Sequence, residues 1–295
     1  MVFYAFVANL VIACVKLFVA FITRSSAMLA EAIHSGADTL NQVFLLIGIR
    51  RGRRQPDNLH PFGFSGELYF WSFIVAIMLF TLGAFFSIYE GIHKLRHPVR
   101  LERIEYALLV LAVSLILEGI AFGRALRKVN GERHGKGLVD YLKQTKKSEL
   151  IVVFMEDLAA ITGLLIALFL LGIQRLTGLV ILDGIASICI GVILAFVAFF
   201  LGYETKSLLI GEAADAALIL GVTEIFSAEE SINTLIQIKS LQMGPEDVLL
   251  AVKAEFNPLL TAVEISHLIN GIEADIRGRF PQVKKIFIEP DILRR

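Results

Sequence analysis

The stretch SSAMLAEAIHSGADTLNQVFLLIGI, residues 25–49, decides how this chain is read. It is mostly apolar, and as a helix it would run to about 37 Å at 1.5 Å per residue. That exceeds the roughly 30 Å hydrocarbon core of a bilayer. Its first half nevertheless carries Glu31, His34 and Asp38. Residues three and four apart share a helix face, so these three form one stripe, continued by Asn41. An ionisable group inside a span is costly and marks a site facing a bundle interior or a water-filled cavity. His34 and Asp38, one turn apart, offer an imidazole nitrogen and a carboxylate oxygen to a common cation. That donor pair suits zinc, and other transition divalents less exclusively. The competing reading is a hydrogen-bonded His–Asp pair that holds two helices together.

The rest of the chain supports a membrane protein. Of its 295 residues 56% are hydrophobic, above the 45–50% or so of ordinary soluble domains, and the mean hydropathy is +0.71. Basic and acidic residues balance at 28 each, which argues against a nucleic-acid partner. Cys14 and Cys189 sit in apolar runs, too few and too isolated for a disulfide framework or a cysteine zinc site. Six stretches are long and apolar enough to span a bilayer, at about 1–23, 27–49, 67–92, 104–123, 149–173 and 178–202. The opening MVFYAFVANLVIACVKLFVAFI is longer than a signal-peptide core and reads as the first span.

After Tyr203 the charge density becomes ordinary, so a six-helix transmembrane domain over 1–203 and a cytoplasmic α+β dimerisation domain over 204–295 are expected. In the tail, INTLIQIKSLQMG and EDVLLAVKAEFNP alternate around a Gly-Pro turn and predict a β-hairpin. TAVEISHLINGIEADIRGRF has helical periodicity with Thr261 as N-cap, and VKKIFIEPDI reads as a last strand. The order helix–strand–strand–helix–strand is a small α+β layer. The loops after spans two and four hold twelve Lys or Arg, including Lys136 and Lys143, against six on the opposite side. This bias puts both termini on the cytoplasmic side.

Span five, SELIVVFMEDLAAITGLLIAL, adds Glu156 and Asp157. Helix neighbours diverge by about 100°, so one carboxylate faces a shared site and the other a neighbouring helix or the vestibule. Two acid-bearing spans make one cation site the economical reading. Asn9 and Lys16 in span one are expected to serve interhelical hydrogen bonding and snorkelling, and Asp183 to mark the polar entrance of span six. Tyr69, Trp71, Tyr89 and Tyr203 are expected as interfacial anchors.

Taken together, AEAIHSGADTLNQ, DNLHPFGFSGELYF and FMEDLAA, in a chain of six spans with an α+β tail, resemble the cation diffusion facilitator family. Within it they look closest to the zinc transporter nine-like branch. The resemblance implies a homodimeric secondary antiporter that exports a divalent cation from the cytoplasm in exchange for protons, with a ferredoxin-like cytosolic domain. The cargo it implies is Zn²⁺, with Mn²⁺, Fe²⁺ or Co²⁺ as alternatives, and no resident cofactor. The family's site has two ligands four apart in span two, matched by His34 and Asp38, and two in span five. Asp157 matches one of these, but the other position falls on Val153, which has no donor; the alternatives for it are water, Glu156 after a local helix distortion, or no ligand at all. Asp57 and His60 match two ligands of a second site in the loop after span two, whose third position is Phe64. The cytosolic metal positions fall on Lys253 and Glu289 with Asp291 retained, and His267 is out of register, so no tight binuclear site and no metal-dependent dimer contact are expected there.

Because ligands must be deprotonated, protons and metal compete for the same groups, and that competition is the expected coupling. A bacterial or archaeal plasma membrane is the expected location. The rivals are a membrane metal sensor or scaffold without net transport and an intramembrane metallohydrolase. The second lacks an HExxH or a nucleophile constellation, so an enzyme is not expected.

Overall fold

In a computed structural model the chain divides into two compact units, one formed by the residues up to Arg50 together with Leu68–Lys206, the other by Arg51–Glu67 together with the residues from Ser207 on. The structure describes residues 2–133, 135 and 137–292, and side chains over the same range except those of residues 2–8 and 143. Lys136 and the side chain of Lys143 therefore lie outside the described residues.

The first unit is helical. It comprises α1 (Val2–Thr23), α2 (Ser26–Gly52), α3 (Glu67–Met78), a π-helical turn at Leu79–Phe85, α4 (Phe86–Arg96), α5 (Ile104–Glu132), α6 (Leu138–Gln144), α7 (Ser148–Thr177) and α8 (Ile181–Ile210). Glu67–Arg96, α5, α7 and α8 are each long and apolar enough to cross a membrane. α1 and α2, at 22 and 27 residues, reach about 33 and 40 Å. α2 has the length but a lower mean hydropathy, because its buried stripe of Glu31, His34 and Asn41 replaces apolar residues. The outer surface is apolar: Ile116, Phe169, Phe196 and Phe199 are each 65–72% exposed, which suits lipid rather than water.

Helix ends follow local chemistry. α1 breaks at Arg24, whose φ of 55° is left-handed, and α7 ends on Gly178 at φ 74°, a C-terminal glycine stop. α5 and α8 run past their apolar cores, to Glu132 and Ile210 rather than 123 and 202. α4 and α8 approach closely enough that a Cβ at Gly91 would stand 2.7 Å from the Gly184 carbonyl, and Ser187 donates to the Ser87 carbonyl at 2.7 Å. Small residues allow this contact between membrane helices.

The second unit is an α+β layer of α9 (Ala216–Ser227), β1 (Ile232–Gly244), β2 (Asp247–Phe256), α10 (Ala262–Arg279) and β3 (Val283–Pro290). Its sheet order is β1-β2-β3, with β1 and β2 antiparallel and β2 and β3 parallel. This is the ferredoxin-like sequence of elements without its first strand. The Gly244–Asp247 pairing closes the predicted hairpin, and Thr261 caps α10 through a full capping box with Glu264. Val222, Phe226, Leu250, Val252, Ile276 and Val283 fill its core.

Candidate metal-transport site

The site is built where α2, α5 and α7 meet. Asn41 Nδ2 donates to Glu156 Oε1 at 2.6 Å, tying α2 to α7. Nearly three turns nearer the start of α2, Gly163 of α7 lies so close that an added Cβ would stand 2.6 Å from Glu31 Oε1. α1 joins through Lys16, whose Nζ lies 3.3 Å from Glu31 Oε2 and donates to Ser35 Oγ at 2.7 Å. Lys16 and Glu31 are both fully buried, so Lys16 does not snorkel; it is an internal counter-ion, because Glu31 lies within reach and bulk water does not.

This packing leaves a cavity of about 50 Å³ lined by Asp38, Glu118, Val153, Glu156 and Asp157, with Asn9 and Gln42 at its wall. Its volume is several times the ~10–15 Å³ that admits one water. Asp38, Glu156 and Asp157 are thus brought together, and Glu156 and Asp157, expected to diverge, both reach the cavity. His34 is not among the lining residues; its Nδ1 lies 3.5 Å from Asp38 Oδ1. Among the described residues neither ring nitrogen of His34, nor Asp38 Oδ1, has a hydrogen-bond partner. Among the same residues no group of three His, Cys, Asp or Glu side chains is placed to hold a metal ion together.

Glu118 was missed in the sequence reading. The signal was available, since it is an acid in the midst of the apolar run LVLAVSLILEGIAF.

Asp183 also differs from expectation. It is fully buried and accepts from Ser25 Oγ (2.5 Å), Ser26 N (2.8 Å), Ser26 Oγ (3.0 Å) and Ala27 N (3.1 Å). It therefore caps the start of α2, where a carboxylate meets unsatisfied N–H groups and the positive end of the helix dipole. Lys94 lies 3.6 Å from it and donates to the Arg24 carbonyl. Tyr69 is no interfacial anchor: it is 1% exposed and its hydroxyl donates to the Lys146 carbonyl at 3.1 Å. Trp71 stacks on Phe44 at 5.2 Å, whereas Tyr89 and Tyr203 are exposed.

Asp57 and His60 lie in the second unit. Asp57 Oδ1 accepts from Leu59 N (3.0 Å) and His60 N (2.7 Å), with His60 Nδ1 at 3.2 Å. The His60 backbone N–H holds the Asp57 carboxyl below its usual range. Phe64, at the third position, packs on the His60 ring at 4.4 Å. In the tail, Lys253 Nζ bridges Glu289 (2.9 Å) and Asp291 (3.2 Å), so an ammonium group stands among the positions that hold metal in the family. Hydrogen bonding to Glu289, then Asp291, raises the Lys253 pKa.

Membrane-length helices packed around a cavity walled by carboxylates define an integral membrane protein with a polar site inside its helix bundle. The family model of the cation efflux transmembrane domain matches residues 2–210, and the chain belongs to that family, the cation diffusion facilitators. It is 35% identical over 237 residues to the proton-coupled zinc antiporter SLC30A9, mitochondrial, of Xenopus laevis, covering 80% of this chain and 42% of that protein. It is 33% identical over 251 residues to metal tolerance protein C4 of Arabidopsis thaliana, covering 84% and 55%. It is 23% identical over 286 residues to the manganese efflux system protein MneP of Bacillus subtilis (strain 168), covering 96% and 92%. The chain thus spans about half the length of the first two. The expected bacterial or archaeal plasma membrane is not borne out, since SLC30A9 carries a mitochondrial name.

Proposed function

We propose that this protein is a secondary transporter that moves Zn²⁺ out of the cytoplasmic-side compartment in exchange for protons, with His34, Asp38 and Asp157 as ligands. The observation that carries the reading is the cavity walled by Asp38, Glu156 and Asp157, with His34 beside Asp38. A dication there would neutralise carboxylates that otherwise repel, and its departure would leave them free to take protons. Alternating access then follows from rocking of helix groups around a site inside the membrane. The names of the Xenopus and Arabidopsis relatives agree with a metal cargo, and the former with proton coupling.

The division of labour is a six-helix transmembrane domain over 1–203 and a dimerising α+β domain over 204–295, in a homodimer with both ends on the Lys/Arg-rich side of the membrane. Glu156, held by Asn41, is an outer ligand or positioning group. Asp57 shapes its loop rather than binding metal. Manganese is the second reading: oxygen donors outnumber nitrogen at the cavity, which suits harder cations, and MneP carries a manganese name.

The test is zinc-driven proton flux in proteoliposomes of the full chain. Asp157→Ala is expected to abolish it; flux at the wild-type rate in that variant would place the site elsewhere.

A further inference from the structure

We propose that Glu118, from α5, is a ligand of the transport cavity and supplies the donor that Val153 cannot. The inference rests on the transport reading above and deepens it.

Helix pairing puts Glu118 at the level of the site. α5 and α7 run antiparallel, pinned at one end by Glu105 and Arg175 at 2.7 Å and at the other by Glu132 and Lys147 at 2.9 Å. Between them Phe122 meets Phe154 with ring centroids 5.5 Å apart. One turn back along α5 from Phe122 is Glu118, and one turn forward along α7 from Phe154 is Asp157, so the pairing sets these two carboxylates side by side. Glu118 and Val153 line the same cavity, and Val153 presents only methyl groups to it.

Electrostatics points the same way. Four carboxylates, on Asp38, Glu118, Glu156 and Asp157, wall the cavity, and among the described residues no Lys or Arg lines it. The buried ammonium of Lys16 is spent on Glu31 and Ser35. Glu156 is buried and Asp38, Glu118 and Asp157 are half-buried, and carboxylates gathered in one cavity favour a cation between them. His34 adds an independent sign: it is 1% exposed, both its ring nitrogens are without a hydrogen-bond partner among the described residues, and Nδ1 points at Asp38, a wall of the cavity. One nitrogen-bearing ring and one Asp38 oxygen beside the cavity are thus without a hydrogen-bond partner among the described residues. With Glu118 in the set, the site is one imidazole with three carboxylates from three helices, instead of two ligand pairs from two helices.

The experiment is Zn²⁺ binding to the purified full chain by chelator competition, with melting temperature recorded for each variant. Asp157→Asn reports on the transport site itself. Glu118→Gln keeps shape and removes charge, and is expected to weaken Zn²⁺ binding about tenfold or more, the lower end of what loss of even a supporting group costs a metal site. Adding Val153→Asp to Glu118→Gln places a carboxylate at the vacant position and is expected to restore most of that loss. Wild-type affinity in Glu118→Gln while Asp157→Asn is impaired would overturn the role of Glu118 and leave the transport reading intact. Unaltered affinity in both variants would overturn both. A loss in Glu118→Gln that comes with a lowered melting temperature and resists rescue by Val153→Asp would make Glu118 a structural residue and overturn the proposal.

Discussion

Replacing Lys16 by methionine tests the internal architecture of the site most directly. Lys16 and Glu31 are both fully buried, with 3.3 Å between Nζ and Oε2. At that distance two unit charges attract by ~5 kcal/mol for an effective dielectric constant of about 20. Removing one partner of a buried pair costs about 3–5 kcal/mol, because the other charge is left uncompensated. Lys16→Met keeps most of the side-chain volume, so its effect is electrostatic rather than a cavity. Lys16→Met is therefore expected to destabilise the protein by about 3–5 kcal/mol in reversible unfolding from mixed micelles. Lys16→Met combined with Glu31→Gln is expected to recover most of that, giving a coupling energy of about 3 kcal/mol in the double-mutant cycle. The double variant is also expected to retain Zn²⁺ binding, since neither residue lines the cavity. A coupling energy below about 1 kcal/mol, the value of an exposed pair, would refute the reasoning and mean that water reaches Lys16.

Gly163→Ala is expected to cost about 1–3 kcal/mol by overpacking, since its Cβ would stand 2.6 Å from Glu31 Oε1, whereas Gly172→Ala, with open space around it, should be neutral or stabilising; melting temperatures of the two separate the effects. Asp183→Ala leaves the Ser26 and Ala27 N–H groups and Lys94 without their carboxylate, and is expected to accelerate hydrogen exchange at the first turn of α2 far more than Asp183→Asn. Thr261→Ala removes the N-cap of α10 and should cost about 1 kcal/mol, seen as faster exchange at the Glu264 and Ile265 amides. The Thr261 backbone N–H and hydroxyl hold the Glu264 carboxyl below its ordinary value of 4.5. Its contribution is thus fully present above that pH and is lost as pH falls through the depressed folded value; unchanged α10 protection in strongly acidic solution would contradict this.

The fold was legible to the extent that local pattern fixes it. The hairpin, the Thr261 cap and the apolar spans each rest on signals within one segment: alternation around Gly244-Pro245, a Thr-x-x-Glu box, and unbroken hydropathy. The snorkelling of Lys16, the anchoring of Tyr69 and the entrance role of Asp183 were misjudged because hydropathy tells how deep a side chain sits but not what it faces, whereas the interhelical hydrogen bond expected of Lys16 is present. Lys16 near a span end resembles a snorkelling lysine until Glu31 of the next helix is seen beside it, and Tyr69 resembles an anchor until the Lys146 carbonyl is found at its hydroxyl. Both partners are distant in sequence, and only helix packing brings them near. Of the proposed site, His34 and Asp38 were read from a spacing of four, which marks a shared face, and Asp157 from an acid within an apolar span and from the family resemblance. Glu118 carries the signal of an acid within an apolar run but belongs to no spaced pair, and its place at the cavity is seen only in the structure.

The buried polar groups of the bundle divide by who supplies their partners. Asp183 is met by two hydroxyls, two N–H groups and Lys94, and Lys16 by Glu31 and Ser35; both hold helix ends and faces together, although Glu31 Oε1 itself has no hydrogen-bond partner among the described residues. His34 and Asp38 stand differently. Their atoms meet at 3.5 Å without a hydrogen bond, in a region where an unmet polar group costs about 1–3 kcal/mol. A structural His–Asp pair would have closed that gap, since a shorter contact recovers the desolvation cost of both. A pair held apart beside a cavity of carboxylates is better suited to a partner that comes and goes. On the proposed transport reading, alternating occupancy by metal and protons would satisfy these atoms in turn.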